Sequence, residues 1–256
     1  MKSDKTFEKL IVLDLANNHF GNVQFAKKIV NSFGKIIRKH SVNCTIKFQF
    51  RDLPNFIHKD FIDSELPYVR RFLDTRISDQ KFYEIFKCIK KNKIKTSCTP
   101  FDERSVDKIE KFKFDYIKIA SVAALDFNLH ERVVKNKIPK IISTGGITID
   151  DIDKIVSFYS KKKQNFALMH CVSIYPTDNK NLNLNFIENL KKRYENINIG
   201  WSTHENPEEF LPATLALSKG ATMFEKHIGL ISNKYKLNKY SITPNKFEAW
   251  LVNLKK

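Results

Sequence analysis

No run of about 18 apolar residues occurs in this chain of 256 residues, and the polar start from Met1 to Lys9 has no apolar core behind it. Membrane insertion and secretion are therefore not expected, and the expected location is the cytoplasm. Cysteine is scarce: Cys44, Cys88, Cys98 and Cys171 stand far apart, which argues against a zinc knuckle or a disulfide framework. They read as small buried residues in a reducing compartment. No internal repeat or low-complexity linker is visible. A second domain has no room, because the length matches the roughly 250 residues of one (β/α)8 barrel.

Acidic residues are also in deficit, 28 against 45 basic ones, a net charge of +17. Such a charge raises nucleic acid, an acidic membrane or an anionic substrate as partners. The lysines gather in patches at residues 90–95 and 161–163, at predicted helix ends and connections, without interleaved aromatics or a binding motif. They read as solvated surface, so neither nucleic acid nor membrane is an expected partner.

What the chain has is alternation. Short apolar runs rich in β-branched residues fall at 10–15, 44–50, 95–99, 115–120, 140–143, 166–170, 198–201 and 221–226. Amphipathic stretches lie between and after them, at 23–39, 79–91, 103–112, 129–135, 149–159, 185–194, 208–218 and 245–254. Start signals include Thr148 ahead of Asp150 and Asp151, and Asn206-Pro207 ahead of two glutamates. Eight strand and helix pairs predict a parallel sheet, read here as a single (β/α)8 TIM barrel over residues 1–256. An open doubly wound sheet competes, since pattern alone does not report closure. The one long connection, residues 51–78, is expected to cover a substrate.

In a barrel, polar residues at the carboxyl ends of strands face the catalytic mouth. The first strand ends in Asp14-Leu15-Ala16-Asn17-Asn18-His19-Phe20-Gly21, the second holds Lys47-Phe48-Gln49, and the third runs into Ser97-Cys98-Thr99-Pro100-Phe101-Asp102. The fourth ends in Lys118-Ile119-Ala120-Ser121 and the fifth in Ser143-Thr144-Gly145-Gly146, whose glycines permit an anion-binding backbone nest. Lysines inside apolar strands are costly unless they meet an anion, so Lys47 and Lys118, with Thr99 between them, predict phosphate or carboxylate binding. The sixth strand leads into His170-Cys171-Val172-Ser173-Ile174-Tyr175-Pro176-Thr177, the seventh into Gly200-Trp201-Ser202-Thr203-His204, and the eighth into Glu225-Lys226-His227. His204 and His227, on adjacent strands, are a candidate pair of ligands for one divalent metal.

Together these motifs resemble the sialic acid synthase family, whose members condense phosphoenolpyruvate with an N-acylated amino sugar. The family elements E-I-G-x-N-H-x-G, K-F-Q, S-T-P-F-D, K-I-A-S, S-T-G, H-C-V-S-x-Y-P-T, G-x-S-D-H and E-K-H find counterparts in order along most of the chain. The resemblance implies a phosphoenolpyruvate-condensing transferase that makes a 3-deoxy-2-ulosonic acid from a sugar-derived aldehyde and releases phosphate. It implies that Lys47, Thr99, Lys118, Ser121, Ser173 and Ser202 hold phosphoenolpyruvate, that Tyr175 touches the sugar, and that His204 and His227 bind a Mn2+-like ion, with Mg2+ or Co2+ as substitutes. Asp14, Lys47, Lys118 and His204 are the expected catalytic residues, and Asn18, Gln49 and Ser143 join the expected substrate contacts.

Four departures stand out. The first-motif glutamate is Asp14, a glutamate after K-I-A-S-G is Ala123, the aspartate beside the metal histidine is Thr203, and a late aspartate aligns near Leu237. The sequence also stops after the eighth helix, so the family's C-terminal antifreeze-like domain is expected to be absent, and a homodimer would need another surface. The departures fall mostly on the sugar side, which predicts an acceptor other than N-acetylmannosamine. Two other classes stay open: a divergent aldolase or lyase on a related keto acid, and a non-catalytic paralogue that binds phosphoenolpyruvate without turnover.

Overall fold

A computed structural model describes residues 5–254, so the first four residues of the polar start and the last two lysines lie outside it. Eight parallel strands pair each with the next, and β8 (Met223–His227) pairs with β1 (Ile11–Asp14), so the sheet closes into a barrel. The remaining strands are β2 (Cys44–Phe50), β3 (Lys95–Pro100), β4 (Tyr116–Ile119), β5 (Lys140–Ser143), β6 (Phe166–Cys171) and β7 (Ile199–Ser202). The competing open sheet is thereby excluded. Among the described residues no helix is long and apolar enough to cross a membrane.

The helices α1 (Val23–Lys39), α4 (Asp79–Lys91) and α5 (Glu103–Phe112) keep the bounds that periodicity predicts. Their starts are fixed by side chains that satisfy first-turn amides: Asn22 accepts from Phe25, Ser78 from Lys81 and Asp102 from Ser105. The helix α7 (Ile149–Lys161) opens with a full capping box between Thr148 and Asp151. One start signal misleads. The Asn206 side chain accepts from the Glu208 amide at 3.1 Å, a local turn, and α9 (Leu211–Ser218) begins only after it.

The connection 51–78 is not a bare loop. It folds into α2 (Leu53–Phe56) and α3 (Pro67–Asp74), each with proline in its first turn, where the missing N–H has no helical partner to lose. The other helices are α6 (Phe127–Val133), α8 (Asn185–Arg193) and α10 (Pro244–Leu254).

The core has two parts. Within the barrel Val12, Tyr116, Ile141, Ala167, Met169 and Met223 fill the lower bore, closed from below by Phe7 and Leu10. Outside it, helices cover the strands, and the β2 side is held by aromatics: the Phe82 ring of α4 meets Phe50 at 4.9 Å and Phe48 at 5.7 Å, edge to face. Such pairs contribute roughly 0.5–1.5 kcal/mol each beyond area burial. Strand alternation does the rest: with Phe48 and Phe50 locked outward, Lys47 and Gln49 must point into the bore.

Candidate active site

The upper bore opens into a cavity of about 820 Å³ at the carboxyl ends of the strands. At its floor four buried charges from four strands interlock. Lys47 Nζ lies 2.9 Å from Asp14 Oδ2 and 2.6 Å from Glu225 Oε1, and it donates to Thr99 Oγ1 at 3.3 Å. Lys118 Nζ lies 3.0 Å from Glu225 Oε2. Burial opposes charge on Lys47, but Asp14 and Glu225 outweigh it and hold the ammonium above the ordinary lysine range. Burial likewise opposes charge on Glu225, yet Lys118 and Lys47 keep its carboxylate well below the usual range. Each of the four desolvated groups has an oppositely charged partner at contact distance, which offsets the cost of burying it.

The strand pattern predicts the lysines here; Glu225, which it does not single out, obeys the same rule as a charged residue within an apolar strand facing the mouth. With Glu225 bridging the two lysines, they are not the unpaired cations the strand pattern suggested. Asp14 is also tied into the site through Gln49, whose Nε2 donates to Asp14 Oδ2 at 3.0 Å.

Above this floor the cavity wall carries Ser121, Ser173 and Ser202. Gly145 brings two of these hydroxyls together. Its amide donates to Ser121 Oγ at 3.1 Å, and a Cβ placed on it would sit 2.6 Å from Ser173 Oγ and 2.9 Å from Ser121 Oγ. Only glycine leaves that space. Ser143 stands apart from the other expected contacts: its hydroxyl is buried without a partner, and after β5 it is Gly145, Gly146 and Ile147 that line the cavity.

The two imidazoles also meet, with His204 and His227 ring centroids 5.4 Å apart. Tyr240 stands edge-on to both, and Tyr175 lies 4.2 Å from His204, half exposed at the rim. Burial first, then the mutual repulsion with His227, pulls the pKa of His204 far down, and burial lowers His227 too. Both rings are neutral and carry lone pairs. His204 Nδ1 is 3.3 Å from the Val172 carbonyl, which leaves Nε2 for the cavity, while His227 Nδ1 is buried with no hydrogen bond, 3.7 Å from Asp14 Oδ2. Among the described residues no three His, Cys, Asp or Glu side chains form a ready cage. The donor set is thus two free imidazoles, and it fits a divalent ion whose remaining positions go to substrate or water.

Asn18 lines the cavity, but its amide is spent as a brace, donating to the Ile228 carbonyl at 2.8 Å and to Ser241 Oγ at 2.9 Å. His19 is a structural neighbour: Nδ1 accepts from the Gly21 amide at 3.1 Å, the ring packs on Phe82, and burial lowers its pKa to about 4. At the departures, Thr203 donates to the Glu225 backbone carbonyl, Ala123 is buried, and Leu237 packs against Gly229 while its neighbours Lys236 and Asn238 line the cavity.

Comparison with known proteins reaches the same architecture. Residues 39–256 match the NeuB family. The chain is 30% identical to the N-acetylneuraminate-9-phosphate synthase of Drosophila melanogaster over 93% of its own length and 65% of that protein. It is 27% identical to a pseudaminic acid synthase of Campylobacter jejuni over 93% of the chain and 71% of the relative. It thus spans roughly two thirds of each of these curated relatives. Among solved structures, a spore coat polysaccharide biosynthesis protein E of Chromobacterium violaceum superposes with a TM-score of 0.94 at 38% identity, covering 97% of this chain and 74% of that one. The N-acetylneuraminic acid synthetase of Leptospira borgpetersenii follows at 0.86 and 24% identity, covering 98% of this chain and 84% of that one, a likeness of fold alone.

Proposed function

This chain belongs to the NeuB family, and on that premise we propose that it condenses phosphoenolpyruvate with a sugar-derived aldehyde to give a 3-deoxy-2-ulosonic acid and phosphate. The relatives are named synthases of N-acetylneuraminate 9-phosphate, pseudaminic acid and N,N'-diacetyllegionaminic acid. The observation that carries the reading is the convergence of Lys47 and Lys118 on Glu225 beneath a ring of hydroxyls, with two neutral histidines alongside.

In this reading Lys47 and Lys118 offset the charge of phosphoenolpyruvate, and Thr99, Ser121, Ser173 and Ser202 donate to its oxygens. Glu225 holds the two ammonium groups apart at a fixed spacing, so the anion meets a preorganised pair. C3 of phosphoenolpyruvate attacks the aldehyde carbon, water adds at C2, and the tetrahedral product loses phosphate by C–O cleavage. Asp14, oriented by Gln49 and Lys47, is placed to position that water or take its proton. His204 and His227 would hold a divalent ion, Mn2+ by preference, which supplies Lewis-acid polarisation of the aldehyde oxygen. Tyr175 and Tyr240 frame the acceptor beside the histidines.

The test is direct. The protein is incubated with phosphoenolpyruvate, Mn2+ and a panel of aldoses and N-acylated amino sugars, and released phosphate is measured. Acceptor-dependent release is expected. No release with any acceptor sinks the proposal, and phosphoenolpyruvate binding without release would identify a non-catalytic binder.

A further inference from the structure

A side cavity of about 270 Å³ branches from the mouth on the β2 side and shares Arg51, Gln49 and Phe72 with it. Its lining adds Lys108 and the exposed Arg76 and Arg104. Two of these cations are matched, Arg104 by Asp52 at 2.9 Å and Lys108 by Asp79 at 2.6 Å. Arg51 and Arg76 have no carboxylate at ion-pair distance among the described residues.

Arg51 is the unusual one. It continues the inward-facing series of Lys47 and Gln49, one step beyond the end of β2. Its guanidinium is clamped between the rings of Phe101, 3.7 Å away, and Phe72, 4.3 Å away. It spends one hydrogen bond, from Nη2 to Gln49 Oε1 at 3.0 Å, while Nε is buried with no partner. A guanidinium has five N–H donors. Aromatic faces stabilise its charge but satisfy none of those donors, and burial pulls its pKa down to about 10, which leaves it charged at neutral pH. A desolvated, rigidly held fork with open donors is the arrangement that recognises a phosphate or carboxylate. That anion is distinct from the one at the floor. Gln49 and then Asp14 stand between Arg51 and Lys47, so a small anion seated on Lys47 and Lys118 meets a carboxylate before it meets Arg51.

We propose that Arg51 and the side cavity behind it take an acidic group, phosphate or carboxylate, carried by the acceptor at the end remote from its aldehyde, so that the enzyme selects an anionic sugar over a neutral one. The proposal rests on the condensing reading above, which seats the aldehyde beside His204 and His227. Arg51 acts as a specificity residue, reading the far end of the acceptor while the strand-borne floor handles phosphoenolpyruvate.

Calorimetric titration of the full chain with an N-acetylhexosamine 6-phosphate, a hexuronate and the neutral N-acetylhexosamine tests it, with and without phosphoenolpyruvate. The wild type should bind at least one acidic sugar about tenfold tighter than the neutral one, the scale of one charge-assisted pair. R51Q should erase the preference, R51K should keep part of it as a point charge, and phosphoenolpyruvate affinity should be unchanged in R51Q. Preference for the 6-phosphate or for the hexuronate identifies which acidic group is read. The idea is overturned if neither acidic sugar binds more tightly than the neutral one, a comparison that needs no variant and so survives any folding defect. It is equally overturned if R51Q weakens phosphoenolpyruvate as much as the acidic sugar, because Arg51 would then belong to the floor. Failure of phosphate release in the turnover assay strikes the condensing reading alone, since these titrations do not depend on turnover.

Discussion

The floor of the mouth and its rim are built on opposite plans. At the floor, Asp14, Lys47, Lys118 and Glu225 come from strand positions with fixed register, and every charge is paired and buried. At the rim, Arg51, Arg71 and Lys236 come from excursions after β2 and β8, and none has a carboxylate at ion-pair distance among the described residues. Of the departures from the sialic acid synthase pattern, Ala123, Thr203 and Leu237 lie beyond the ends of β4, β7 and β8, while the one on a strand, Asp14 on β1, shortens the side chain but keeps the carboxylate. Strands set a charge to within one pleat, so substitution there disturbs the whole network. Excursions tolerate change, and they are where an acceptor preference can drift.

The contrast is sharpest for Glu225→Gln, which leaves two buried ammonium groups facing a neutral amide. Urea unfolding should show a loss of about 3–5 kcal/mol, the scale for breaking a buried ion pair from one side. A loss below about 1 kcal/mol, as for exposed pairs, would break the comparison.

Next comes a pH effect from His19, in the lining of the side cavity. Its pKa falls from 6.5 to about 4 in the folded chain because burial disfavours the charged ring. The unfolded chain therefore takes up this proton first, so the contribution is complete above pH 6.5 and is lost as pH falls toward 4. Up to about 3 kcal/mol is at stake at acidic pH. Thermal unfolding from pH 7 to 4 should be steeper in the wild type than in a His19→Gln variant, and parallel slopes would remove His19 from the account.

Gly145→Ala tests the wall between floor and rim. The added methyl group meets Ser173 and Ser121, so a loss of about 1–3 kcal/mol is expected together with weaker phosphoenolpyruvate binding. Unchanged affinity would show that the paired hydroxyls do not hold the ligand. The smallest effect belongs to exposed Lys236→Ala at the rim, within about 0.5 kcal/mol of wild-type stability by the same urea titration. A loss comparable to that of Glu225→Gln would mean that the rim is braced like the floor.

Much of this is legible in the sequence, because strand alternation and barrel topology are local rules. Lys47 points inward from β2, Thr99, Lys118, His204 and His227 stand at or just past strand ends, and the bounds of α1, α4 and α5 follow from periodicity and caps. Glu225 was legible too, yet a reading that looks for cations to meet an anion passes over the carboxylate between them. The Asn206 signal failed because an Asx turn and a helix cap use the same side-chain bond.

Sequence alone determined the alternation, the parallel order and the residue types at each strand end, since pleat and helix periods are encoded residue by residue. Closure of β8 onto β1, the bridging of Lys47 and Lys118 by Glu225, and the clamping of Arg51 by Phe72 and Phe101 were decided by tertiary structure. Those contacts join residues distant along the chain, and a charge's partner is set by distance in space, which no local period records.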